Sequence, residues 1–376
     1  MLGFAKNKLI NFLDGYRPQT EDFMVDNGLY TDRLVKSTIK WSAKQECDQV
    51  KRSPEQELDM KKKFADELRE EDTVLENQPT ILPLTYSPFF FEQLLGDWMK
   101  FSCGYFNDKW DTCESSSVVD LNVDLSQAEE NMMEIYCERA DIEDGMNILD
   151  LSAGYGSFSL YVAQKYPSAN VTAITEVPRQ AKWISDKMKL LEIDNINCIT
   201  TTYLELTKTY GPGFESKFDR IIAVDILRYT YNWHQVIPQI LDFLNPRSNF
   251  GESFLFVQDS CHKDTPRFSK NSSFMERHFS AGSMIMSPDL LFLIDGVTVV
   301  EQWLVNGKQF QRSANLWLQN MDKHKKDIIR ILEKESDLAS SIATFNRWRI
   351  YFLTISESYG YNQGSEWMIA HYLITK

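Results

Sequence analysis

Asn147-Ile148-Leu149-Asp150-Leu151-Ser152-Ala153-Gly154-Tyr155-Gly156-Ser157-Phe158 is the stretch that decides the fold. A short apolar run ends in a turn of small residues, and a helical pattern follows from Ser157 to Tyr166. Strand, glycine turn and helix, in that order, open a nucleotide-binding α/β unit. Gly154 and Gly156 let backbone amides approach a ligand, because no Cβ intervenes. Ser152 stands where the usual pattern has its first glycine. The turn therefore has two readings: an amide-lined cradle for a nucleotide-like or amino-acid ligand, or a purely structural bend.

Downstream, the alternation is regular. The pattern predicts strands at Asn170–Thr175, Ile196–Thr201, Phe218–Val224 and Ser253–Asp259. Helices are predicted at Arg179–Leu191 and Trp233–Leu244. Such alternation means a parallel sheet with helices on both faces. Ligands then bind beyond the carboxyl ends of the strands, which marks Ser152–Gly156, Glu176, Thr201–Thr202, Asp225 and Asp259. Strands at Val297–Trp303 and Trp367–Ile374 read as antiparallel additions, with helices at Ala314–Glu333 and Leu338–Tyr359 between them.

Upstream, residues 1–80 are charged and helical in pattern. Ser53-Pro54-Glu55-Gln56 is a helix start: Ser53 caps, Pro54 takes the first turn and Gln56 closes a capping box. Leu58, Phe64, Ala65 and Leu68 mark its apolar stripe. This extension either packs on the core or serves as a lid. Phe89, Phe90, Phe91, Trp98, Phe101, Tyr105, Phe106 and Trp110 crowd the next stretch, as core or as walls for an aromatic ligand. Glu114–Asp124 reads as a loop, and Leu125–Ala140 as a helix into the first strand.

The 376 residues allow one large domain with an extension, or two domains. A 43% hydrophobic and 13% aromatic content supports a sizeable core. The formal net charge of -14 argues against a nucleic-acid partner, since no counterion release is available, and suits a cationic small molecule. Cys47, Cys103, Cys113, Cys137, Cys198 and Cys261 form no CxxC pair and no zinc spacing, so free thiols and no metal are expected. Met1–Tyr16 lacks a signal-peptide core, and no run reaches the roughly 20 apolar residues of a spanning helix. A soluble cytoplasmic protein without membrane attachment is the expectation.

Three constellations carry chemistry. The glycine turn is the first. Glu176, directly after the second strand, is placed to accept from a ribose diol, or is simply a solvated carboxylate. Asp225 ends the fourth strand with Arg228 and Tyr229 one turn on; it either orients an amine or pairs with Arg228. His262, beyond the fifth strand, is the nearest candidate base by topology, with a structural histidine as the alternative.

The chain resembles coclaurine N-methyltransferase and its plant alkaloid relatives, within the cyclopropane fatty-acid synthase-like methyltransferases. The resemblance runs from about residue 35 to the end. It rests on Leu94-Leu95-Gly96, Lys100-Phe101-Ser102-Cys103-Gly104-Tyr105-Phe106, Tyr136-Cys137-Glu138-Arg139-Ala140 and Asn147-Ile148-Leu149-Asp150-Leu151. It continues in Ala163-Gln164-Lys165-Tyr166-Pro167, Cys261-His262-Lys263, Ala281-Gly282, Gly360-Tyr361-Asn362-Gln363-Gly364 and Glu366-Trp367-Met368.

The resemblance implies an α/β class I (Rossmann-like) methyltransferase fold with a mostly parallel seven-stranded sheet. A helical N-terminal extension and cap would cover residues 1–120. The core would cover 121–376, with a lid-like insertion at about 262–296 and 304–360. The implied cofactor is S-adenosylmethionine, and the implied reaction is methyl transfer to the amine of a benzylisoquinoline or similar alkaloid. The implied cofactor contacts are Ser102, Ser152, Gly154, Gly156, Glu176, Gln180 and Thr202. Phe279, Trp348, Tyr351 and Glu357 fall on the substrate side, and Asp225, Tyr229 and His262 are the catalytic candidates. Members of the family often pair, so a homodimer is implied as well.

The departures from the family cluster at the cofactor and amine positions. The family turn Gly-Cys-Gly-Trp-Gly is here Ser152-Ala153-Gly154-Tyr155-Gly156. Thr202 stands where an Asp accepts from the adenine amine, a loss of about 1–2 kcal/mol. The family's Glu and Glu-His pair at the fourth strand become Asp225, Arg228 and Tyr229, and a lost general base removes about a hundredfold in rate. Glu176 stands where the family often has Asn, and the segment between Lys263 and Phe279 is a few residues shorter. Two functions follow. One is a working N-methyltransferase with a rearranged site. The other is a repurposed protein with weak or lost cofactor binding, which cyclises an amine or iminium or only binds a ligand.

Overall fold

The computed structural model describes residues 18–33, 35–40, 53–68, 86–107, 118–263, 266–268, 274–279 and 283–376. The signal-peptide expectation at Met1–Tyr16, Cys47, Trp110, Cys113, the start of the Glu114 loop and Ala281-Gly282 lie outside them.

The N-terminal helices are α1 (Pro18–Asp26), α2 (Pro54–Glu67) and α3 (Pro88–Glu92), and α4 (Leu125–Arg139) leads into the sheet. The alternating part is β1 (Asn147–Asp150), α5 (Ser157–Lys165), β2 (Asn170–Thr175), α6 (Pro178–Leu190), β3 (Ile196–Thr200), α7 (Tyr203–Thr209), β4 (Arg220–Val224), α8 (Trp233–Leu241) and β5 (Phe254–His262). A small hairpin, β6 (Arg267–Phe268) and β7 (Met284–Ile285), flanks the short helix α9 (Phe274–His278). The rest is β8 (Thr298–Val305), α10 (Lys308–Lys323), α11 (Lys325–Leu332), α12 (Leu338–Gly360) and β9 (Trp367–Thr375). The expected single helix Ala314–Glu333 is thus two helices, broken at His324, which leaves helical geometry at φ -100° and ψ 18°.

The seven-stranded sheet has the order β3-β2-β1-β4-β5-β9-β8. All pairs from β3 to β5 are parallel, and β9 joins β5 and β8 antiparallel. The mostly parallel sheet expected from the sequence is therefore observed. The inner strands read as nearly unbroken apolar runs because both faces are covered. Ile148, Ile222 and Phe256 join one core with α4, α5, α10 and α12. Their neighbours Leu149, Ile221 and Leu255 turn to a second core with α2 and α8.

Local rules explain the elements that frame the site. The Ser53 hydroxyl accepts from the Gln56 amide (3.3 Å), and the Gln56 side chain accepts from the Ser53 amide (3.0 Å), so the capping box forms as read. The apolar stripe of α2 is shorter than expected: Phe64, Ala65 and Leu68 are buried, but Leu58 is 46% exposed. Its last turns reach the core, while Lys61 pairs with Asp289 at 2.8 Å. Arg220 on β4 is fully buried because its guanidinium donates to the Ala140 and Asp141 carbonyls, satisfying the open end of α4. Among the described residues no helix is long and apolar enough to cross a membrane.

Candidate functional site

A cavity of about 230 Å³ opens at the carboxyl ends of β1, β2 and β4, bounded on the far side by Phe101, Phe310 and Tyr351. A water molecule occupies about 30 Å³ of liquid, so this is room for an organic ligand rather than a trapped solvent molecule.

The two glycines of the turn do different jobs. Gly154 has φ +53° and lines the cavity; a Cβ there would meet nothing closer than 3.9 Å, so its backbone lies open to a ligand. Gly156 has φ +83°, and a Cβ would stand 2.8 Å from Ile184 Cγ1. It is the packing residue that seats α5 against α6, and it lies outside the cavity lining. Ser152 replaces flexibility with a brace. Its hydroxyl donates to the Val224 carbonyl and accepts from the Val224 amide, both at 2.9 Å, tying the turn to the end of β4. Asp150 is buried beneath the turn, where it accepts from Ser159 Oγ at 2.6 Å, and burial pushes its carboxyl up to about 6.

At the end of β2, Thr175 Oγ1 donates to Gln180 Oε1 at 2.6 Å. That fixes the amide and leaves Gln180 Nε2, buried and on the cavity wall, without a hydrogen-bond partner among the described residues. A buried donor left open in this way calls for a ligand acceptor. Glu176 follows on the same edge and also lines the cavity. Thr202 does not: it is exposed, and its hydroxyl accepts from the Glu205 amide at 3.1 Å as the N-cap of α7.

The third wall holds charge. Asp225 directly follows β4 with φ +55°, a left-handed conformation that Asp tolerates better than most residues. Its amide donates to the Gln258 carbonyl at 2.8 Å, and its Oδ2 accepts from Gln258 Nε2 at 3.4 Å. Oδ1 is buried without a partner among the described residues. The suggested Asp225–Arg228 pair is not formed. Arg228 turns to Asp259 instead, with Nε 3.3 Å from Oδ1 and its own amide donating to Oδ2 at 3.1 Å. Asp259 is fully buried, and burial lifts its carboxyl to about 7 against the pull of Arg228. Burial likewise raises Asp225, partly offset by Arg228, Lys100 and Gln258. Burial raises the Tyr229 phenol above its ordinary value, so Tyr229, which lines the cavity, stays a neutral hydroxyl near pH 7.

Ser102 also lines the cavity and accepts from Lys100 Nζ. Burial brings the Lys100 ammonium down to about 8; it donates to the Cys103 carbonyl at 2.8 Å and lies 5.2 Å over the Tyr136 ring.

Aromatic rings close the remaining side. Tyr351 lines the cavity, with Phe279 at 4.5 Å and Trp348 at 5.4 Å between ring centroids. Phe279 and Trp348 therefore form a second layer behind it. The aromatic stretch splits as both readings had it: Phe90 and Phe106 are core, whereas Phe91 and Phe101 face the cavity. Phe89 is exposed. Glu357 is away from the cavity, where it pairs with Lys40 at 3.2 Å and Lys36 at 3.4 Å and so anchors the N-terminal extension. His262 is the last residue of β5 rather than a residue beyond it. Its backbone pairs with Trp367 on β9, its ring packs edge-on against that indole at 4.9 Å, and it lies outside the cavity lining.

Sequence reasoning missed Lys100, Asp150, Tyr136 and Gln258. Asp150 carried a signal, being a carboxylate that ends β1. Lys100 and Tyr136 lie in two of the segments that carry the resemblance, Lys100 two residues before Ser102, whereas Gln258 reaches Asp225 from within β5 and has no local signal.

The model of the mycolic acid cyclopropane synthetase family matches residues 85–363. Pavine N-methyltransferase of Thalictrum flavum subsp. glaucum is 30% identical over 358 residues, 91% of this chain and 90% of that protein. (S)-coclaurine N-methyltransferase of Papaver somniferum is 30% identical over 360 residues, 93% of this chain and 95% of that protein. The crystal structure of coclaurine N-methyltransferase bound to N-methylheliamine and SAH superposes with a TM-score of 0.82 at 26% identity, covering 95% of this chain and 99% of that one. The cyclopropane synthase MmaA2 from Mycobacterium tuberculosis, at 16% identity and a TM-score of 0.60 over 78% of this chain and 95% of its own, shares the fold.

Proposed function

This chain belongs to the mycolic acid cyclopropane synthetase family, beside the plant alkaloid N-methyltransferases, and from that premise we propose that its substrate is a benzylisoquinoline-like or related cyclic secondary amine. It is a methyltransferase of the class I fold, and S-adenosylmethionine is its cofactor. When bound, that cofactor supplies an electrophilic methyl group on a sulfonium.

The residues at the cavity fit the cofactor. Gly154 exposes backbone, Gln180 Nε2 is an open buried donor, and Glu176 offers a carboxylate at the end of β2 for a diol. Asp225 does the remaining work. Its open Oδ1 accepts a hydrogen bond from the amine N–H, orients the nitrogen lone pair toward the cofactor side and takes the proton that the nitrogen gives up after methylation. Tyr229 places a neutral phenol at the same wall, and Tyr351 and Phe101 supply ring faces that suit a flat aromatic amine and its developing cation. Burial raises the Asp225 carboxyl, which strengthens it as a proton acceptor, and the Arg228 and Lys100 charges offset part of that rise. His262 is not needed for these steps.

The unpartnered, buried Oδ1 of Asp225 carries this reading. The non-methylating alternative is not favoured, because a carboxylate and an amide that each keep one buried, unpartnered atom both line one cavity. The test is incubation with S-adenosylmethionine and a panel of benzylisoquinoline and tetrahydroisoquinoline amines, with product detection by mass spectrometry. An N-methylated product is expected. A protein that binds the cofactor calorimetrically yet methylates none of the panel overturns the substrate assignment.

A further inference from the structure

We propose that Gln258 and His371 are positioning residues that hold Asp225 in one orientation, keeping its Oδ1 free for the substrate amine; this rests on the amine-binding role given to Asp225 above. The three residues lie across neighbouring strands. His371 on β9 is directly opposite Gln258 on β5, and Gln258 is in register with Val224 on β4, the residue before Asp225. A polar line therefore crosses the sheet at right angles to its strands and ends at the cavity.

The protons along this line are fixed by chemistry. Arg139 Nη1 lies 2.6 Å from His371 Nδ1, and a guanidinium only donates. Nδ1 must accept, so the ring proton sits on Nε2. His371 Nε2, 3.2 Å from Gln258 Oε1, then donates to that oxygen. The Tyr136 hydroxyl donates to the same oxygen. The Gln258 amide cannot rotate by half a turn, because its N–H₂ would then face the His371 N–H and its oxygen would face the Asp225 carboxylate. Its nitrogen must face Asp225, where it donates to Oδ2 at 3.4 Å. Gln258 and His371 are completely buried, so water does not offer an alternative partner from bulk solvent. Burial and the nearby Arg139 and Lys100 charges keep the imidazole neutral, in agreement with this assignment.

The consequence is a carboxylate with one oxygen occupied and one open. Without the amide donor, Asp225 is free to rotate about its terminal bond, and the open oxygen is no longer presented in one place. Loss of the line acts on the chemical step rather than on cofactor binding, since Gly154, Gln180 and Glu176 are reached from β1 and β2.

Two measurements on the full chain test this. Methyl transfer to 1,2,3,4-tetrahydroisoquinoline is compared in the parent, His371→Leu, which removes both ring partners, and His371→Gln, which keeps a donor and an acceptor. The leucine variant is expected to lower kcat about tenfold with the cofactor KM unchanged, and the glutamine variant to recover most of the loss. Separately, nitrogen-15 NMR of the histidine side chains in the unsubstituted protein should show His371 as a neutral ring protonated at Nε2, its signal identified by its absence in His371→Gln. Equal kcat in all three proteins overturns the proposal, and so does a ring protonated at Nδ1 or at both nitrogens. A parent that methylates no amine defeats the proposed reaction, while the NMR spectrum still decides the proton order on which this inference stands.

Discussion

Replacing Asp225 with asparagine removes a charge and changes little else. The substituted side chain keeps the shape of the carboxylate and an oxygen able to accept from Gln258, whose Nε2 now lies 3.4 Å from Oδ2. Asparagine also tolerates the left-handed φ of +55° as well as aspartate does. The fold is expected to be unaffected, and removal of a carboxylate whose ionisation burial opposes costs no stability by itself. The loss falls on the open Oδ1. A hydrogen bond from an amine to a buried carboxylate is worth about 1.5–3 kcal/mol, or about 10- to 150-fold in binding. Loss of the group that takes the product proton removes about a hundredfold or more in rate. The contacts expected for the cofactor lie on the β1 and β2 side and are unchanged. We therefore expect kcat/KM for the amine to fall at least about a hundredfold, with the calorimetric Kd of S-adenosylmethionine within about threefold of the parent. An Asp225→Asn protein with near-parental kcat/KM, or one that loses cofactor binding along with activity, refutes the role given to this residue.

Gly156→Ala places a Cβ 2.8 Å from Ile184 Cγ1 at a φ of +83° and should destabilise the fold by about 1–3 kcal/mol in denaturant titration. Thr202→Ala should cost about 1 kcal/mol through the lost cap of α7 and leave the cofactor Kd unchanged; a large fall in affinity would return Thr202 to the cofactor. Glu357→Gln should weaken the hold of Lys36 and Lys40 on the N-terminal extension, seen as faster limited proteolysis there, with the amine KM unaltered. Asp150 has its carboxyl raised by burial to about 6, above its ordinary value of 3.8. The folded state then holds the proton more tightly than the unfolded chain, so this group's stabilisation is full at low pH and is lost as pH rises from about 4 to about 6. Asp150→Asn should flatten the stability profile in that window; an unchanged slope contradicts the assignment.

Much of the frame was legible because two periodicities are strong in this chain. All five strands from β1 to β5 appear where the pattern puts them, since strands covered on both faces are apolar throughout, but β5 runs on to His262 and the helix Tyr203–Thr209 between β3 and β4 was not read. The capping box at Ser53 and Gln56 was legible for the same kind of reason: it is local chemistry. The failures are long-range. Arg228 finds Asp259 rather than its near neighbour Asp225, because a fully buried carboxylate across the sheet needs a charge partner and position in sequence carries no trace of that need. His262 is drawn into β5 by pairing with β9, a strand far later in the chain. Ser152 read as a defect in a glycine turn, yet its hydroxyl is the brace between β1 and β4. Glu357 resembles a substrate-side carboxylate by family position and is instead an ion-pair anchor for Lys36 and Lys40.

The most direct measurement is a crystal structure of the protein with S-adenosylhomocysteine and a benzylisoquinoline amine. The amine nitrogen is expected within hydrogen-bond distance of Asp225 Oδ1, the aromatic rings against Tyr351 and Phe101, and the nucleoside end of the cofactor product in contact with Gln180 Nε2 and Glu176. An amine held elsewhere, or an Asp225 carboxylate turned away from it, contradicts the assigned chemistry.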